Sequence, residues 1–395
     1  MPAAPDVIDS VALVDFTVRL LAARSPSGEE GAVASLVTAE MERLGFAVEV
    51  DRLGNVTGRV GTGTGPTVLI DSHMDTVGVT DPAAWARNPD GERVGDRIYG
   101  RGAMDMKGPL AASLYGIAAL APSLQNGTVV VSASIAEEMI EGPALEEIAR
   151  RVRPDYVVIG EATNLKVARG QRGRAEIRVE TFGRPTHSSR PELGVNAADA
   201  LVDVISALRR FRPPTHQILG AGILVLTDVM TRPYPALSVV PDYAVATYDR
   251  RTLPGESAES VLGEIQEAMA DALRGSPATG QAGIAEDDLT TYTGARVVAP
   301  NFAPAWFYGE DAQIVRLSRQ GLQAVGLPGE LTHYAFCTNG SGTAGRLGIP
   351  TIGFGPGDEA LAHRVDEYIT VEDLMAGARG YASIARHLTG NAATT

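Results

Sequence analysis

Three short apolar runs constrain this chain more than any other feature. TVLIDSH at 67–73, VVVSASI at 129–135 and YVVIG at 156–160 are nearly continuous in apolar residues instead of alternating with polar ones. A strand without a polar face is buried on both sides, as in a sheet covered by helices. The segments 8–23, 29–45, 107–122 and 143–151 carry apolar residues at helical spacing. Ser27 and Glu30 stand at the spacing of a capping box ahead of the second helix,. Shorter alternating strands are read at 46–51 and 56–60. Strands alternating with helices predict the α/β class: a three-layer domain with a mostly parallel sheet.

The texture changes near residue 172. The segment 174–183 alternates as a strand, 193–211 is helical, 222–230 and 238–250 are β-rich, and 256–274 is helical again. This order predicts a smaller α+β (ferredoxin-like) domain with a four-stranded antiparallel sheet. From about 301 the first texture resumes, with helices at 309–326, 341–347 and 371–388 around the strand TIGFG. The expected organisation is therefore a discontinuous domain, 1–172 and 301–395, interrupted by a second domain at 173–300. GFGPGDE at 353–359 lacks the spacing of a dinucleotide loop and reads as a turn,. The closing NAATT is expected to fray,.

Composition narrows the chemistry. Cys337 is the single cysteine, which excludes an intramolecular disulfide and a multi-thiolate metal site,. It is read as a small packed hydrophobe rather than a reactive thiol. A metal would fall to histidine and carboxylate. With 48 acidic and 34 basic residues the net charge is −14, which argues against a nucleic-acid partner,. The longest nearly apolar stretch, 109–122, is too short to span a bilayer, and no basic segment followed by an apolar run opens the chain,. No membrane association and a cytoplasmic location are expected.

The polar residues that need explaining sit where strands end, the place at which α/β folds hold ligands. His73 and Asp75 follow TVLID, Asp105 lies in GRGAMDMKG, Glu137 and Glu138 follow VVVSASIA, Glu161 follows YVVIG, and His363 follows TIGFG. Two histidines and three carboxylates form a nitrogen and oxygen set suited to zinc, with cobalt or manganese as alternatives. One carboxylate can bridge two ions. In an adjacent glutamate pair one member can bind metal while the other stays free as a base. Asp75, two residues after His73, is placed to accept the imidazole N–H and fix its tautomer. Arg251 and Arg346 are candidate clamps for a substrate carboxylate. Asn339, Ser341 and Thr343 would either hydrogen-bond the substrate or cap the following helix.

The strings DSHMDTV, GRGAMDMKG, AEEM, GEAT and EALAHRVDE, in this order, resemble the zinc aminoacylase and deacetylase family, which includes acetylornithine deacetylase, succinyl-diaminopimelate desuccinylase and carboxypeptidase G. GRPTHSSRPELGVNAA at 183–198 is similar to the signature of that family's lid domain. The resemblance implies two zinc ions per chain, one on His73, Asp105 and Glu161, the other on Asp105, Glu138 and His363. It implies Glu137 as general base, Asp75 as the partner behind His73, a cis bond after Asp105, and a homodimer in which His187 reaches the scissile carbonyl of the other subunit. The implied activity is hydrolysis of the amide bond of an N-acyl amino acid or similar small carboxylate by metal-activated water. A dipeptidase or aminopeptidase is the alternative within the family, an N-carbamoyl amino acid hydrolase a lesser one. A non-catalytic, metal-stabilised dimeric binding protein is the alternative outside it.

Overall fold

The computed structural model describes residues 7–391. Residues 1–6 and most of the end expected to fray, 392–395, lie outside them. The apolar runs form the strands Thr67–His73, Thr128–Ser134 and Tyr156–Ile159. Thr67–His73 pairs in parallel with both of the others, and Thr351–Gly353 extends the parallel set beyond Tyr156–Ile159. Antiparallel pairs flank this core: Ala47–Val50 and Val56–Gly61 on one side, Val167–Gln171 and Trp306–Phe307 on the other. Alternate residues of the central strand enter different cores. Val68 and Ile70 join the larger cluster with the helix residues Leu110 and Leu114, while Leu69 packs with Leu145 and Ile148. Apolar packing on both faces is the reason these segments show no alternation.

The helix Lys107–Leu120 is buried over most of its length and packs against Val371–Leu388. Their approach depends on Gly116, where a Cβ would collide with the Ala378 carbonyl oxygen. The parallel strands finish in register, His73 opposite Ser134 and Asp71 opposite Ile159. Their following loops therefore leave the sheet along one edge.

Two local expectations change. The capping box is not formed: the Ser27 hydroxyl donates to Asp75 at 2.6 Å, and Glu30 turns inward to accept the Ala136 N–H at 3.1 Å. The helix expected at 341–347 is a single π-helical turn, Ser341–Arg346.

The chain divides into two compact units: the first runs to Gln171 and includes Asp288–Ala299 and the chain from Trp306 onward, and the second holds Arg172–Asp287 and Pro300–Ala305. The division differs from the expected 173–300 insertion at its C-terminal side. Residues 288–299 stay with the first unit because the Tyr292 hydroxyl donates to the Gly54 carbonyl at 2.8 Å and the Thr293 hydroxyl donates to that of Arg52 at 2.8 Å. Phe302–Ala303 belongs to the second unit because it pairs with the strand Gly173–Phe182.

The second unit has an antiparallel sheet of five strands where four were expected: Ile223–Arg232, Tyr243–Thr252, Gly173–Phe182 and Thr279–Ile284 in that order, with the short Phe302–Ala303 also paired to Gly173–Phe182. Helices Ala197–Leu208 and Ala258–Ala272 cover it, with Ile177, Val179, Leu201, Val204 and Ile265 at the core. Ile223–Arg232 is an edge strand and exposes Val225, Val229 and Met230. Among the described residues no helix is long and apolar enough to cross a membrane.

Candidate metal centre

His73, the last residue of its strand, is almost fully buried. Its Nε2 lies 3.0 Å from Asp105 Oδ1 and 3.3 Å from Glu161 Oε1. Its Nδ1 lies 2.9 Å from the Asp75 carbonyl oxygen, while the Asp75 carboxylate is 3.5 Å away. The main chain of Asp75, rather than its carboxylate, is thus the nearer acceptor for this imidazole. The carboxylate has other work: it accepts the N–H groups of Glu137 at 3.1 Å and Glu138 at 3.0 Å. Asp75 therefore aims the glutamate pair. Ala136, just before the pair, has φ 60°. This left-handed turn costs a non-glycine residue about 1–2 kcal/mol, and its N–H is held by Glu30.

Asp105 lies between the two histidines. Its Oδ1 faces His73, and its Oδ2 is 3.2 Å from His363 Nε2, which also lies 3.1 Å from Glu138 Oε1. The Asp105–Met106 peptide is cis. His73, Asp105 and Glu138 offer ligand atoms within 4.8 Å of one another, as do His73, Glu137 and Glu161. Glu137 itself stands 3.8 Å from His73 Nε2, outside hydrogen-bond range.

So many carboxylates cannot all ionise together without a counter-charge. Burial, then the neighbouring Asp105, pushes Glu161 up to about 7. Burial also raises Glu137 well above the usual carboxylate range. Burial opposes ionisation of Asp105 too, but its hydrogen bonds to His363 and His73 prevail and hold it low. The same contacts, to Asp105 and Glu138, raise His363 to about 10.

These shifts set a pH dependence for the metal-free protein. Glu161, raised from 4.5 to about 7, binds an extra proton in the folded state between those values, so stability falls as pH rises through that window,. His363, raised from 6.5 to about 10, contributes stability in full below 6.5 and loses it as pH rises toward 10,. Both act in one direction. The melting temperature of chelator-treated protein is expected to fall steadily from about pH 5 to about pH 9, and to fall less with a divalent cation present. A melting temperature that rises across this interval would contradict the electrostatics described.

The residues named as substrate contacts are engaged with other partners. Asn339 is buried, its amide donating to Asp71 and Ser134 at 3.1 Å each and its oxygen accepting the Gly142 N–H at 2.8 Å. Thr343 is buried and accepts from the Thr351 hydroxyl at 2.9 Å. Both are interior struts, correcting their reading as substrate ligands. Arg346 reaches Glu146 at 3.5 Å, and Arg251 is paired with Asp249 at 2.8 Å, so each is in an ion pair and neither stands as an unengaged clamp. Cys337 is buried, its sulfur 3.2 Å from the Gln171 amide nitrogen. His187 lies in the second unit, exposed, its Nδ1 accepting the Ser189 N–H at 3.1 Å.

Sequence reasoning passed over Glu367 and Arg101. Glu367 Oε1 accepts the N–H groups of Met104 at 2.8 Å and Asp105 at 3.1 Å. The one signal available was that both lie in strings already singled out, HRVDE and GRGAMD.

A family model described as peptidase family M20/M25/M40 matches residues 69–387, spanning all seven residues of this centre and its surround. The chain belongs to peptidase family M20/M25/M40. As a member of this family it is a hydrolase of amide bonds. It is 32% identical over 382 residues to the uncharacterized protein YgeY of Escherichia coli strain K12, covering 93% of this chain and 92% of that protein. It is 28% identical over 369 residues to succinyl-diaminopimelate desuccinylase of Corynebacterium glutamicum, covering 91% and 92% of the two chains. The structure is similar to that of the Bacillus subtilis YXEP protein, a dinuclear metal binding peptidase from the M20 family, with a TM-score of 0.70 at 14% identity over 95% of this chain and 97% of that one. At that identity the likeness concerns the fold.

Proposed function

We propose that this M20 hydrolase is a dinuclear metal enzyme that cleaves the amide bond of an N-acyl amino acid or a similar small carboxylate. One observation carries the reading: the two oxygens of Asp105 face different histidines, His73 and His363. A carboxylate so placed suits a bridge between two cations. His73, Asp105 and Glu161 would hold one ion, and Asp105, Glu138 and His363 the other. Glu138, 3.1 Å from His363, is the ligand of its pair, and Glu137, 3.8 Å from His73 and beyond hydrogen-bond range of it, is left as the base. The nitrogen and oxygen donors suit zinc, with cobalt or manganese also accommodated.

When bound, the ions supply Lewis-acid polarisation of the scissile carbonyl and acidify the water that adds to it. The chain's own residues do the rest. Glu137 accepts the water's proton and returns it to the departing nitrogen. Asp75 keeps Glu137 aimed through its main-chain N–H, and the Asp75 carbonyl keeps the proton of His73 on Nδ1 so that Nε2 is free to ligate. His187 donates an N–H to the carbonyl oxygen, in a homodimer formed through the exposed edge strand Ile223–Arg232. Such an edge with outward Val225, Val229 and Met230 is a template for pairing with a second copy. Cytoplasmic residence belongs to the same reading. The desuccinylase relative supports an acyl amino acid as substrate.

The test is metal analysis followed by a substrate panel. About two equivalents of metal per chain are expected after gentle dialysis, falling in His73→Ala and His363→Ala. N-acetyl and N-succinyl amino acids are expected to turn over with zinc, cobalt or manganese. Faster turnover of dipeptides would select the peptidase alternative. Loaded protein that hydrolyses neither class would overturn this substrate reading.

A further inference from the structure

We infer that Arg101 and Glu367 are positioning residues that lock the Asp105 loop and the His363 loop into one rigid arrangement. The inference rests on the metal reading above and names what keeps its second ion in place.

The backbone brings the two segments together. Arg97–Tyr99 pairs antiparallel with Tyr368–Thr370, Tyr99 opposite Tyr368, and the Gly100 N–H donates to the Glu367 carbonyl at 2.9 Å. Just past this pairing both side chains turn toward the centre. Glu367 is fully buried, with one oxygen gripping the main chain at Met104 and Asp105. Its other oxygen accepts from Arg101 Nη1 at 2.5 Å, and Arg101 Nη2 donates to the His363 carbonyl at 3.3 Å. A continuous path thus runs from the N–H of the shared carboxylate residue, through the Glu367 carboxylate and the Arg101 fork, to the carbonyl of the second histidine. His363 needs such a restraint: it sits at φ 61°, a costly turn for a non-glycine residue, and it is exposed together with Arg364 and Val365,.

Stability alone does not account for the pair. Desolvating two charges offsets most of their attraction, so a buried ion pair is weak evidence for a stabilising role. Holding two loops in a single geometry is what this one accomplishes. A lysine would not serve equally, since only the planar fork presents two donors in fixed directions.

The experiment measures metal binding by the full-length protein, using Zn²⁺ in competition with a chromophoric chelator and Co²⁺ absorption to follow each site. Arg101→Met is expected to weaken one of the two ions about 10- to 100-fold, as loss of a group behind a ligand does, while the other is retained at wild-type affinity. Glu367→Gln is expected to weaken both, because Asp105 serves both. Combining the two should add little to Glu367→Gln, the mark of residues acting as a unit. Arg101→Lys should fall with Arg101→Met, which separates fork geometry from charge. Melting after chelation is expected to fall in Arg101→Met, which leaves Glu367 buried without its partner, while Co²⁺ absorption still shows one site intact,. Arg101→Met that keeps both ions at wild-type affinity overturns the inference. So does loss of both ions in Arg101→Met, which marks a merely structural pair. Wild-type protein that binds fewer than two ions overturns the metal reading itself, and the two failures are told apart by which protein shows them.

Discussion

Glu137→Gln is expected to keep the fold and both metal ions while losing at least about 10²-fold in kcat. The substitution replaces a carboxylate oxygen by an amide of nearly the same shape. It leaves the main-chain N–H that Asp75 accepts, so the turn carrying the glutamate pair stays as it is. Glu137 contacts neither histidine within hydrogen-bond range, and the proposed ligand next to it, Glu138, is held by His363 and by the Val77 N–H at 3.3 Å. What the variant lacks is a group able to take a proton from water and release it to the leaving nitrogen. Loss in kcat with little change in KM is the signature of a group acting only in the transition state. Turnover near that of wild type would remove Glu137 from the mechanism. A collapse of metal content would make it a ligand instead, an arrangement its distance to Glu161 and His73 permits.

The parts of the centre that were legible in sequence share a physical origin. His73, Glu137, Glu138 and Glu161 each follow an apolar strand, and the parallel register carries them to one edge without further information. What was not legible depends on partners far away in the chain. Asn339 and Thr343 sit in a polar, glycine-rich loop that looks solvent-facing, yet Asp71, a buried carboxylate in mid-strand, draws Asn339 inward. Glu30 has cap spacing, but the strained turn at Ala136 offers its carboxylate an N–H that the helix end cannot match for burial. Asp75 was placed beside His73 by spacing alone. Spacing cannot distinguish its carbonyl from its carboxylate, and the two divide the tasks between them. Tyr292 shows the same limit at domain scale: it ties residues 288–299 to the first unit by reaching Gly54, 238 positions away.

His187→Ala is expected to lose about 10²–10³-fold in kcat with a smaller change in substrate binding, the usual effect of removing one donor to a developing oxyanion. The local contacts of the side chain are compatible with that proposed task. A main-chain N–H can only donate, so the Ser189 N–H at 3.1 Å makes His187 Nδ1 an acceptor, with the Ser189 hydroxyl at 2.8 Å beside it. The ring proton of the neutral imidazole then lies on Nε2, which is the donor available to a carbonyl oxygen. The histidine is exposed on the second unit, and the proposed homodimer would let it serve the centre of the other subunit. Mixing two inactive variants, His187→Ala and Glu137→Gln, tests this directly. In a mixed dimer one site regains an intact Glu137 from one chain and an intact His187 from the other, while its second site lacks both. With random exchange half the dimers are mixed and each holds one good site of two, so activity should recover to about a quarter of wild type. Failure to recover despite demonstrated subunit exchange would confine His187 to its own chain or remove it from the reaction. A protein that is monomeric at assay concentration would exclude the trans arrangement before any mixing is done.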